Sequence, residues 1–201
     1  MEEHLKTLLL GLFIFISNQI LLAQTKDNFF EKQVVVADVN FDNIKDVIQI
    51  YQDTINPKAV YRLEISLAEI DSVGKYEIVS TEKAIKSDFP DAETIDDRFW
   101  SGEMFDKVEV VDGILCIRFN LTRGYYVHKY KFSNDLFELI QVKRVEGNSD
   151  YLEEVDFNLI SGERSIKISE GNKKPQIKKE VKKITPLPKL GEFVPFETEL
   201  F

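Results

Sequence analysis

The chain has a single cysteine, Cys116, in 201 residues. No intrachain disulfide can form even in an oxidising compartment, so stability must come from a packed core or a bound metal. Cys116 sits in Gly113-Ile114-Leu115-Cys116-Ile117-Arg118-Phe119, a setting for a small buried apolar side chain rather than a reactive thiol. Histidine is almost as scarce, with His4 near the start and His128 elsewhere. One histidine outside the leader cannot build a two-histidine zinc site. A Ser-His-Asp or Cys-His nucleophilic arrangement would have to use His128, between Val127 and Lys129, and no Gly-x-Ser-x-Gly elbow accompanies it. Sustained helical periodicity and internal repeats are also missing.

Basic charge is in deficit too. Lys and Arg number 26 against 35 Asp and Glu, a net charge of −9. An acidic surface repels nucleic acid and anionic lipid and draws cationic partners from a distance, which argues against nucleic-acid binding.

What is present begins with Met-Glu-Glu-His-Leu-Lys and an apolar run from Thr7 to Ala23, interrupted by Ser17, Asn18 and Gln19. That layout predicts a signal peptide over residues 1–23, with small-residue cleavage chemistry at Leu21-Leu22-Ala23-Gln24. A retained transmembrane helix would bury the polar triplet in lipid at a cost. No cysteine follows the run, so no lipoprotein anchor is indicated. The expected product is periplasmic or secreted, without membrane insertion after cleavage, and long enough for one domain.

Beyond the leader, short runs rich in Val, Ile, Tyr and Phe alternate with Asn, Asp and Gly turns, which predicts an all-β antiparallel meander, propeller-like or sandwich-like. Strands are expected near 33–38, 46–52, 60–67, 76–81, 107–111, 114–120, 125–132, 137–145, 153–158 and 163–169. Asp112-Gly113, Ser133-Asn134-Asp135 and Ser161-Gly162 supply turns. Residues 83–105 break the rhythm with Pro90, acidic residues and the lone Trp100, a long loop of the kind that often carries function. From Gly171 the composition turns to Lys and Pro, so the domain is expected over 24–170 and a tail over 171–201, with Phe193-Val194-Pro195-Phe196 able to dock as an edge element.

The sharpest local signal is Asp38-Val39-Asn40-Phe41-Asp42-Asn43-Ile44-Lys45-Asp46. Oxygen-bearing side chains stand at positions 1, 3, 5 and 9, the spacing at which alternate residues of a curling loop converge on one cation. Calcium would take Asp38, Asn40, Asp42 and Asp46, with the Ile44 carbonyl at position 7. Asn43 stands where a left-handed backbone favours glycine, and position 12 is Gln49, so this is no EF-hand. An Asn/Asp-rich turn whose side chains only cap the backbone is the other reading.

With Val34-Val35-Val36-Ala37 before it and Val47-Ile48-Gln49-Ile50 after it, this loop resembles the calcium-loop strand pairs of FG-GAP/VCBS-type proteins. Tyr61–Ile65, Arg123–Tyr130, Phe137–Ile140 and Asp156–Gly162 extend the likeness over most of 33–169. Together they are similar to secreted bacterial β-proteins related to PliI-type periplasmic lysozyme inhibitors and to immunity proteins against lysozyme-like effectors. The resemblance implies a calcium-stabilised domain that blocks a muramidase by inserting a loop into its carboxylate cleft. Such inhibitors carry Ser-Gly-x-x-Tyr; the nearest match here is Ser101-Gly102-Glu103-Met104-Phe105, with Phe in place of Tyr.

The expected partner-binding set is therefore Trp100, Ser101, Gly102, Glu103 and Phe105, joined by Arg123, Tyr125 and Tyr126 as an aromatic and cationic edge. Phe105 capping the core, and Tyr125 and Tyr126 alternating between faces, are the plainer alternatives. Acidic residues from Asp88 to Asp106 would steer a basic lysozyme-like enzyme. Paired carboxylates such as Asp96-Asp97 and Glu153-Glu154 are what an acidic surface produces, and no motif supports a hydrolase. The expectation is a binding protein rather than an enzyme, with a structural or adhesion-type FG-GAP-like envelope module as the alternative.

Overall fold

The computed structural model describes residues 28–53, 55, 61–68, 76–85, 105–121 and 123–195, and every regular element among them is a β-strand. The expected leader and most of the expected acidic loop lie outside these residues. Strands β1 (Phe29–Ala37), β2 (Asp46–Asp53), β3 (Tyr61–Ala68) and β4 (Tyr76–Thr81) form one sheet. A second contains β5 (Phe105–Val111), β6 (Ile114–Leu121), β7 (Gly124–Ser133), β8 (Leu136–Gly147), β9 (Tyr151–Asn158), β10 (Glu163–Glu170) and β11 (Gln176–Val181). In both, each strand pairs antiparallel with its neighbour in the chain, so the all-β meander is sandwich-like and unclosed.

The alternation that predicted strands also sets their faces. In β2 and β3 every second residue is buried, and the register puts Ile48 opposite Ile65 and Ile50 opposite Leu63. All four are fully buried, each worth about 1.5–3 kcal/mol of apolar transfer. One core takes side chains from both sheets; the Tyr61 ring of β3 lies 5.0 Å from that of Phe105 in β5. The turns follow their residues. Asp112 and Gly113 (φ 51° and 73°) join β5 to β6, and Asn134 and Asp135 (φ 50° and 60°) join β7 to β8, both tight two-residue hairpins that need positive φ twice.

The segment after Glu170 differs from the expected tail. Gln176–Val181 pairs with β10 from Glu163↔Val181 to Ile168↔Gln176. The chain then returns across β8, where Leu139 N–H donates to the Pro188 carbonyl (2.8 Å) and Leu190 N–H to that of Phe137 (2.9 Å). Leu190 and Phe193 are buried, so the packed domain continues past 170 to at least Phe193. Composition concealed this because an edge strand needs few buried side chains and tolerates lysine. Phe193 docks as a cap over the core, not as an edge strand.

Candidate functional site

The loop between β1 and β2 is built from side-chain-to-backbone hydrogen bonds. Asp38 accepts N–H from Phe41 through Oδ1 (2.7 Å) and from Asn43 through Oδ2 (2.9 Å). Asn40 Oδ1 accepts the Asp42 N–H (3.2 Å), while its amide donates to Asp42 Oδ2 (3.0 Å). Asp42 Oδ1 accepts the Ile44 N–H (2.7 Å). Asp46, fully buried at the start of β2, accepts from Val39 (2.9 Å) and from Ala68 at the end of β3 (3.0 Å). Phe41 and Asn43 take left-handed φ of 66° and 67°, which turns the chain twice within six residues.

Oxygen-only donors suit a hard cation. Their geometry here is that of a hydrogen-bonded turn, and no group of three or more His, Cys, Asp or Glu among the described residues is placed to hold a metal. Burial raises the Asp46 pKa above its ordinary value; the Val39 and Ala68 N–H groups oppose that, and the charges of Asp42 and Asp38 add to it. The loop also reaches the second sheet. A Cβ at Gly113 would sit 2.4 Å from the Phe41 ring, and Lys131 Nζ lies 5.9 Å from the ring centroid.

Of the expected partner-binding residues, Trp100, Ser101, Gly102 and Glu103 lie outside the described residues. Phe105 lies in the core and not on the surface: it is buried against Tyr61, because β5 begins at this residue and turns it inward. Tyr125 and Tyr126 alternate between faces. Tyr126 points inward, its ring 6.4 Å from that of His128, and its hydroxyl pKa is raised mainly by burial. Tyr125 stays at the surface beneath the Arg118 guanidinium, 4.0 Å from its ring centroid, and Arg118 Nε bonds Asp106 Oδ2 at 3.1 Å. Arg123 is exposed in the β6–β7 turn, where its carbonyl accepts the Gly147 N–H (3.1 Å).

Arg118 is the functional candidate that residue-type reasoning passed over, and Asp106 entered it only as the last residue of the acidic steering run. Pairing Asn120 with Tyr125 and Arg118 with Val127 puts Arg118 and Tyr125 on one face, a placement visible only once the hairpin register is known.

The remaining chemical candidates are buried or paired. His128 is fully buried between the rings of Phe119 (5.3 Å) and Phe193 (5.6 Å), and burial pushes its pKa down to about 3. Cys116 is buried, its thiol pKa raised by desolvation. Glu153 is held by Arg144 and the Tyr151 hydroxyl, whereas Glu154 pairs with Lys167 at 2.5 Å, so each of these adjacent carboxylates has its own cation. Comparison of the chain with protein-family models, with curated proteins and with solved structures finds no match.

Proposed function

We propose that this chain is an exported protein-binding domain, and that Asp106, Arg118 and Tyr125 form the centre of its binding face. The observation that carries the reading is the ordered Asp106–Arg118–Tyr125 stack. A guanidinium laid over a tyrosine and fixed by a carboxylate presents the two residue types that dominate interface energetics, with side-chain entropy already lost. Asp106 follows directly on the Ser101–Phe105 segment that the inhibitor resemblance singles out, so the two regions are covalent neighbours. The resemblance supplies the partner class, a basic lysozyme-like cell-wall lytic enzyme, and the net charge of −9 suits a partner of that sign. Calcium at the 38–46 loop belongs to the same proposal. Asp38, Asn40, Asp42, Asp46 and the Ile44 carbonyl would hold it, and its charge would offset three neighbouring carboxylates, one of them buried.

The test is capture from envelope extract on immobilised residues 24–201 in calcium, followed by a muramidase assay of what is retained. The proposal expects a basic muramidase, inhibited on binding, and at least about tenfold weaker capture by Arg118→Ala or Tyr125→Ala. Inhibition unchanged in both variants removes this face from the reading. Retention of non-enzymatic envelope components favours the structural module.

A further inference from the structure

The free edge of β11 has features that neither the calcium loop nor the Arg118 face uses. Among the described residues β11 ends the seven-stranded sheet, with β10 on one side and no strand on the other. Lys182 N–H donates to the Gly162 carbonyl, and in an antiparallel ladder such bonds alternate, so Glu180 and Lys178 also turn to β10. The N–H and C=O groups of Ile177, Lys179 and Val181 therefore face outward in a row. Ile177 and Val181 are 62% and 68% exposed, on the same face as Lys179.

The charge of this edge opposes that of the molecule. Six lysines stand against Glu180 alone between Gly171 and Ile184, in a chain of net charge −9. Lys178 bonds Glu180 at 2.8 Å, and Lys173 bonds Glu170 at 2.8 Å. Lys174, Lys179 and Lys183 make no ion pair among the described residues.

We infer that β11 is a docking edge for an extended acidic polypeptide segment, which adds to the seven-stranded sheet as an eighth strand. Main-chain groups in a row at strand spacing are satisfied by another strand, and a lipid headgroup or a free phosphate cannot pair with them in register. Ile177 and Val181, four residues apart on one face, call for apolar residues in the partner, and Lys179 between them calls for a carboxylate. A second copy of β11 paired about Lys179 sets Ile177 opposite Val181 and Lys178 opposite Glu180 but Lys179 opposite its own copy, whereas a peptide with a carboxylate at that position complements Lys179 as well. This inference does not depend on the muramidase reading, since the edge and the Arg118 face are separate strands of the sheet.

The test uses residues 24–201 labelled with 15N and a blocked heptapeptide, Glu-Val-Thr-Glu-Thr-Val-Glu, one face of which reads Val-Glu-Val. Two further probes are octaglutamate and phosphatidylglycerol vesicles. The expected result is amide shifts centred on 177, 179 and 181, slowed hydrogen exchange there, and affinity that falls as salt rises. Lys178→Glu with Lys179→Glu should weaken binding about tenfold or more. Lys179→Pro removes an outward N–H without touching the β10 ladder, so it should bind more weakly than Lys179→Ala, which loses the charge alone. Three outcomes overturn the inference: no shift at 176–181 with millimolar peptide, equal binding of octaglutamate or vesicles, or equal binding by the proline and alanine variants. The second of these would leave only a basic patch.

Discussion

The side-chain amide of Gln33 stands in for a peptide group between the two sheets. Its Nε2 donates to the Val108 carbonyl (2.7 Å) and its Oε1 accepts the Val108 N–H (2.9 Å), so one side chain satisfies both main-chain groups of a residue on the edge of β5. Through this contact β1, the edge of the small sheet, is tied to β5, the edge of the large one.

Gln33→Leu should leave Val108 N–H and C=O without their partner, costing about 1–3 kcal/mol for the buried groups. Urea unfolding measures the loss, and exchange of the Val108 amide should accelerate. Unchanged exchange at Val108 would mean that the seam is held elsewhere.

Gly113→Ala adds a Cβ where φ is 73° and the Phe41 ring is 2.4 Å away. The strained backbone and the displaced ring together should cost about 1–3 kcal/mol. In Phe41→Ala the same substitution should cost less, since only the backbone part remains. Equal costs in the two backgrounds would show that the loop does not press on the turn.

His128 gives stability a definite pH dependence. Its pKa is about 3 in the folded chain against the ordinary 6.5. A depressed folded pKa means that the unfolded chain takes up the proton first. The stabilisation is fully present above pH 6.5 and is lost as pH falls from 6.5 towards 3, on the order of a few kcal/mol over the window. His128→Phe, an aromatic ring in the same box of rings, should flatten that part of the stability curve. An unaltered slope would assign the acid loss to other groups.

Calcium should raise the melting temperature of the parent chain and leave that of Asp42→Ala unmoved, because a ligand that binds only the folded state stabilises it by mass action. Equal shifts in both proteins would place any calcium elsewhere. No shift in either would leave the loop as a turn closed by its own hydrogen bonds.

Leu190 is buried against the core from a segment that composition marked as tail. Leu190→Ala should cost about 2–5 kcal/mol in thermal or urea unfolding, as for any large buried aliphatic. A loss under about 0.5 kcal/mol, the range of surface substitutions, would show that the segment is only laid on the domain.

Much of this architecture is written locally. Alternation in Asp46–Asp53 and Tyr61–Ala68 fixes both strand identity and inward face, since successive side chains of a strand point to opposite sides. Asp112-Gly113 and Asn134-Asp135 fix their hairpins because few residues tolerate positive φ twice in succession. The Asn/Asp loop at 38–46 is legible for the same reason, its short side chains reaching their own backbone. The burial of Cys116 follows from its apolar neighbours.

Other features depend on which elements meet. Nothing in the composition of Gln176–Val181 marks it as a strand; pairing with β10 supplies the hydrogen bonds that its own side chains do not require. Phe105 faces inward because β5 starts there and brings it onto Tyr61, more than forty residues earlier in the chain. The Asp106–Arg118–Tyr125 stack exists only in the register of three strands, and the Gln33–Val108 contact spans 75 residues. Local pattern determines what each segment is, because strand period and turn geometry act over a few residues. Long-range pairing decides which edges and faces come together, and the Arg118 stack and the β11 edge lie there.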